Sequence, residues 1–215
     1  METTSVNTTT TIAARKRNHF IMSGVSISLL TGKNICIYNC MRIVWLSGWA
    51  GAGKDTIAGI LCNKYGYTRV AFADSLKDIV AETHGFQRCL CDTPEGKNFI
   101  ISSAALTIRQ ILIKESAAAK EKNINVYAEH VLAKIQASQQ LLFVVSDWRF
   151  PHEINFIKGA LPASEHITLR ITRPGLHALA DPSEHALDNF EFDVNIENTT
   201  LKLLEANVIK ILANL

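Results

Sequence analysis

The chain has 215 residues, of which 47% are hydrophobic and 20% charged, and a formal net charge of +2. That is enough for one well-buried α/β domain with a small lid, and it is an ordinary globular composition. Residues 1–41 hold Arg15, Lys16, Arg17 and Lys33 against Glu2 alone, so the remainder is left at −1 and lacks the cationic excess of a nucleic-acid-binding domain. The five cysteines are odd in number and lack a second pair at zinc spacing, so they read as reduced thiols rather than a disulfide framework or a metal cluster.

The Thr-rich, acid-poor stretch over residues 1–40 reads as an extension without fixed structure or as a targeting segment, ahead of a domain spanning 41–215. Apolar Arg42-Ile43-Val44-Trp45-Leu46, closed by Ser47-Gly48, predicts a buried strand of a parallel sheet. A helix follows over 54–64 with Gly66 as its stop, then a strand over 68–72 and a helix over 75–83. Residues 84–103 read as irregular, and 104–119 and 126–138 as amphipathic helices. Leu141-Leu142-Phe143-Val144-Val145 is the strongest strand signal, followed by a helix over 151–159 with Pro at its first turn. A strand over 167–172, a loop or lid over 173–192, a strand over 192–196 and a helix over 199–212 complete the chain. The alternation predicts a mainly parallel sheet between helix layers. No apolar run reaches the ~18–20 residues of a membrane helix.

Gly48-x-x-x-x-Gly53-Lys54 has phosphate-loop spacing and the right context, with a strand before it and a helix after it. Glycines at 48, 51 and 53 let several N–H groups face one anion, the helix aims its positive end there, and Lys54 reaches the phosphates. Asp55 stands where Ser or Thr commonly binds Mg²⁺, with Thr56 next; either could be the metal ligand. Ser146-Asp147-Trp148-Arg149, with Glu153 one turn into the next helix, follows the strongest strand and so belongs near the same sheet edge. There Arg149 could grip a phosphoryl group, and Asp147 could orient Arg149, hold Mg²⁺ through water or accept from a substrate. Lys77 and Arg109 are candidate clamps for an acceptor, or ordinary exposed cations. Arg173 opens the lid segment.

Ser47-Gly48 through Gly53-Lys54-Asp55-Thr56, Phe72 through Lys77, Ser146-Asp147-Trp148-Arg149 with Glu153, and Thr172-Arg173-Pro174-Gly175 followed by Ser183-Glu184 resemble the deoxynucleoside monophosphate kinases of bacteriophages and large viruses. The resemblance covers residues 41–215, in the same motif order. It implies a three-layer P-loop kinase fold with a small lid, and phosphoryl transfer from ATP, with Mg²⁺, to a deoxynucleoside 5′-monophosphate. Gly51, Gly53, Lys54, Asp55, Thr56 and Ile57 would hold ATP. Leu76, Lys77, Arg109, Tyr127, Asp147, Arg149 and Glu153 would hold the acceptor or order the site. Lys54, Asp147, Arg149 and Arg173 would carry catalysis. Two features depart from the family pattern: Ile113-Lys114 stand where phage members often have Gly-Thr, and the segment before Met41 has no counterpart.

The expected partner is a small nucleotide, with no nucleic-acid polymer and no membrane; a homodimer is left open. The expected compartment is the cytoplasm, the host's for a viral protein, with organelle targeting by residues 1–40 also open. Two rivals remain: a P-loop kinase for another small acceptor, and a nucleotide-binding protein with little turnover.

Overall fold

The run Arg42-Ile43-Val44-Trp45-Leu46 becomes the middle of a sheet because both of its faces are covered. Ile43 and Trp45 project to one side and Val44 and Leu46 to the other, all at most 2% exposed. In this computed structural model, which describes residues 40–178 and 181–213, the strand is β1 (Arg42–Ser47). The segment read as an extension or targeting signal lies outside the described residues but for Cys40. Then come α1 (Lys54–Tyr65), β2 (Thr68–Val70), α2 (Phe72–His84), α3 (Pro94–Lys97), and a hairpin of β3 (Ile100–Ile101) and β4 (Leu106–Thr107). They are followed by α4 (Ile108–Lys122), α5 (Val126–Ala137), β5 (Leu142–Val145), α6 (Pro151–Ala160), β6 (Glu165–Thr172), α7 (Pro182–His185), β7 (Val194–Glu197) and α8 (Leu201–Ala213).

Five strands form one sheet in the order β2-β5-β1-β6-β7, every neighbouring pair parallel. On one face Ile43, Trp45, Phe143 and Val145 pack under Val131, Ile135, Ile154 and Ile157 of α5 and α6. On the other, Val44, Leu46, Ile167 and Leu169 pack under Ile57 and Leu61 of α1 and Leu204 and Val208 of α8. The result is the expected α/β fold, a mainly parallel sheet flanked by helices. Burying each such side chain contributes about 1.5–3 kcal/mol. A third cluster, Val80, Cys91, Ile101, Ile108 and Ile111, holds the segment between β2 and α5 together. Among the described residues no helix is long and apolar enough to cross a membrane.

Two helix starts differ from expectation for identifiable reasons. The strand expected over 68–72 ends at Val70, and α2 begins at Phe72 rather than Ser75. The Asp147 carboxylate accepts the N–H groups of Phe72 (2.8 Å) and Ala73 (2.9 Å), capping the helix from 74 residues or more away. The helix expected from Ala104 begins at Ile108, where Thr107 and Gln110 form a reciprocal capping box. The residues before it make the β3–β4 hairpin. The stretch expected to be irregular holds a 3₁₀ turn over Arg88–Cys91 and α3.

Candidate functional site

Parallel strands end on the same edge, and every segment singled out in the sequence leaves that edge. Ser47 of β1 leads into the loop 48–53, Val145 of β5 into Asp147 and Arg149, Thr172 of β6 into Arg173, and Glu197 of β7 into Asn198. Gly48, Gly51 and Gly53 all have positive φ, 144°, 82° and 109°. At two of them space forbids a side chain as well. A Cβ on Gly48 would lie 2.3 Å from the Ile171 carbonyl oxygen, and one on Gly53 would lie 2.4 Å from Asn198 Nδ2. Asn198 belongs there because its Nδ2 donates to the Ala52 carbonyl at 2.8 Å while its own N–H donates to Thr172. The loop is thus fixed on one side by β6 and on the other by the residue after β7.

Lys54 opens α1 and folds back over the loop, its ammonium donating to the carbonyls of Gly48 (2.5 Å) and Trp49 (2.9 Å). Burial, and then the nearby Arg149 charge, pull its pKa below the usual lysine value. Arg149 donates to Ser183 Oγ at 3.2 Å and pairs with the Glu184 carboxylate. The other oxygen of Glu184 accepts the Ala50 N–H of the loop at 2.8 Å. Burial works against the charge of Glu184, yet the hydrogen bonds from Arg149 and Ala50 outweigh it and hold its carboxyl below the ordinary range. Arg173 reaches the Gly51 carbonyl at 3.5 Å. One carboxylate therefore sits among a loop N–H, Arg149 and Lys54.

Glu153 lies behind this group. Its carboxylate accepts the N–H groups of Arg149 (3.1 Å) and Phe150 (3.0 Å), so it fixes the backbone that carries Arg149. Burial pushes its pKa up to about 7 against those two donors. Asp147 is spent on capping α2. Asp55 and Thr56 are exposed on the first turn of α1. The Asp55 carboxylate makes no hydrogen bond or ion pair with another described residue, which leaves hard oxygens that fit a Mg²⁺ ligand.

Ile57 does not face the loop. Its side chain is fully buried under the sheet, and its N–H donates to the Gly53 carbonyl as the bond that closes the first turn of α1. Lys77 points into an ion-pair network, 3.0 Å from Asp92 and 3.9 Å from Asp74, in which Arg88 also joins Asp74, Asp78 and Asp92. Arg109 is exposed on α4. Leu76 and Tyr127 pack together in the core beneath α2 and α5. Glu184 and Asn198 both hold the loop, and neither carries an assigned role from the sequence. A carboxylate two residues after a helix-capping Asp181-Pro182 was the available signal for the first; none existed for the second.

The fold is similar to that of TT1252 from Thermus thermophilus, with a TM-score of 0.49 and 19% identity over 82% of this chain and 98% of that one. It is similar to shikimate kinase from Aquifex aeolicus, with a TM-score of 0.48 and 16% identity over 81% and 97%. It is also similar to the APS kinase CysC of Mycobacterium tuberculosis, with a TM-score of 0.43 and 12% identity over 81% and 98%. No protein-family model and no curated protein matches the chain.

Proposed function

We propose that the chain transfers the γ-phosphoryl group of ATP to a deoxynucleoside 5′-monophosphate, giving the diphosphate and ADP. One observation carries the reading. A glycine-framed loop and Arg149 meet at one sheet edge around the Glu184 carboxylate, with the Lys54 charge nearby and Arg173 reaching the loop's Gly51 carbonyl. A carboxylate held by a loop N–H and a guanidinium marks a place where negative charge is stabilised, and phosphoryl transfer needs such a place.

Loop N–H groups and the N-terminus of α1 would hold the donor phosphates. Lys54 is partly desolvated, so its charge acts across little water. Arg149, fixed by Glu153 behind and Glu184 beside, would balance charge shared between donor and acceptor. Arg173 leads into the lid segment, which would exclude water. Asp55 or Thr56 would hold Mg²⁺, which neutralises phosphate charge when bound. An acceptor phosphate oxygen is ionised at neutral pH, so the enzyme needs no strong general base and no covalent intermediate.

The test is ADP release from Mg·ATP with each deoxynucleoside monophosphate and matching ribonucleotide, for wild type and Lys54→Ala. Acceptor-dependent release that vanishes in the variant is the expected result. ATP binding with no release from any of these acceptors would overturn the reading.

A further inference from the structure

Ser183 and Glu184 belong to a longer segment, residues 181–192, that touches the ends of three neighbouring strands. β5 and β6 lie on either side of β1. Glu184 pairs with Arg149, which follows β5, and accepts the N–H of Ala50, which follows β1. Asp188, four residues on, accepts from Arg170 of β6 at 2.8 Å. Arg170 also donates to Ser47 Oγ at 3.3 Å, and Ser47 is both its register partner on β1 and the residue before Gly48. Two carboxylates one turn apart therefore clasp two arginines that flank the phosphate loop.

The two clasps differ in their surroundings. Around Asp188 the segment is held by packing as well as by charge. Leu187 is buried in the core. Phe190 and Phe192 meet the Trp148 ring in T-shaped contacts, with centroids 4.8 and 5.6 Å away, and the Arg170 guanidinium lies 5.6 Å from the Phe192 centroid. His185 Nδ1 lies 2.7 Å from the second Asp188 oxygen and ties the turn to itself. At Glu184 the ties are polar, with Ser183 Oγ beside it accepting from Arg149. The Glu184 side chain is 3% exposed, so its charge depends on partners held in place. Arg149 is long and must meet a phosphoryl group in one orientation. A carboxylate aims that guanidinium, and the anchor four residues on aims the carboxylate.

We infer that Asp188 and Arg170 are positioning residues for Arg149: they seat residues 181–192 as a strap that holds Glu184 between Arg149 and the phosphate loop. The expected effect on turnover rests on the kinase reading, whereas the strap itself rests on the contacts alone.

The experiment compares the full chain as wild type, Asp188→Asn, Asp188→Glu, Glu184→Gln and the double variant Asp188→Asn/Glu184→Gln. Turnover is read as ADP release from Mg·ATP with nucleoside monophosphates, and the strap as hydrogen exchange of the Ala50 amide by NMR. Asp188→Asn is expected to lower the turnover number about ten-fold while changing the KM for ATP less than about two-fold. It should also speed exchange at Ala50 by about ten-fold. Asp188→Glu keeps the carboxylate and should restore most of both. In the Glu184→Gln background, loss of Asp188 should lower turnover by less than about two-fold more, because Asp188 acts through Glu184. A residue that merely stabilises the fold would cost the same factor in both backgrounds. Arg170→Gln, measured in the same way, decides the matter if Asp188→Asn folds poorly. Additive losses of turnover would overturn the strap. So would unchanged Ala50 exchange on loss of Asp188, whether or not ADP is released. Faster Ala50 exchange in a chain that releases no ADP with any acceptor would sustain the strap and sink the kinase reading.

Discussion

The two sides of the site are built from different materials. On one side, the loop after β1 is made of backbone, and a strand carbonyl and a side-chain amide lock it: Ile171 leaves no room beside Gly48, and Asn198 leaves none beside Gly53. On the other side, α2 to α5 present side chains. Salt bridges with partly exposed partners bind Lys77 and Arg88, and a small cavity separates the helices. Under the proposed reading, phosphates, alike in every nucleotide, would meet a rigid frame, while side chains on helices can change without disturbing the sheet.

The largest effect should come from breaking the donor frame. Gly48→Ala and Gly53→Ala each force positive φ on alanine and drive a Cβ into a neighbour. Strain of about 1–3 kcal/mol falls on the loop itself. ATP binding, read by calorimetry, should fall by more than about ten-fold, and Gly48→Ala, which meets a sheet carbonyl, should also lower Tm. Next is the link between the two sides. Glu184→Gln can still accept the Ala50 N–H but cannot pair with the Arg149 charge. The turnover number should drop by about 10²-fold with little change in the KM for ATP. A proportionate rise in that KM would instead place Glu184 in donor binding.

Smaller effects separate the burial of charge from its exposure. Glu153 has a folded pKa of about 7, above the ordinary carboxylate value. The folded state then binds more protons than the unfolded state between about pH 4.5 and 7, so its contribution is full below that window and is lost as pH rises through it. Glu153→Gln keeps an acceptor for the two N–H groups, and its urea midpoint relative to wild type should climb from pH 5 to pH 8. His166 behaves in the opposite way. Its folded pKa is about 4, lowered by burial and then by Lys158, and its Nδ1 accepts the Trp45 indole N–H at 3.0 Å. Stability should fall as pH drops from about 6.5 toward 4, a slope that His166→Gln should flatten. The smallest effect belongs to the ion-pair network around Lys77. Asp92 is half exposed, so Asp92→Asn should cost about 1 kcal/mol or less, less still at high salt, as read from chemical unfolding.

What could be read in advance follows the same division. The phosphate loop was legible because a strand, three glycines and a lysine lie consecutively, and the order of elements followed from hydrophobic periodicity. Phe72 could not be recognised as a helix start, because its cap is supplied by Asp147 from the far side of β5. Thr107-x-x-Gln110 could have been recognised, being a local capping pattern that the apolar run from Ala104 obscured. Ile57 follows the phosphate-loop motif in sequence, and helical periodicity turns its side chain to the core. Glu153 was legible as a residue near the site but not as a support for the Arg149 backbone. Asn198 had no local signal, since its significance depends on which strand lies beside β6.

Asn198 also bears on how the molecule is made. It holds the Ala52 carbonyl across 146 residues of chain. During synthesis the loop emerges early, yet its last restraint arrives only when β7 has been added and the residue behind it is free of the ribosome. Until Asn198 is in place the loop lacks this restraint, so a part of the site written early waits on a residue 146 positions later.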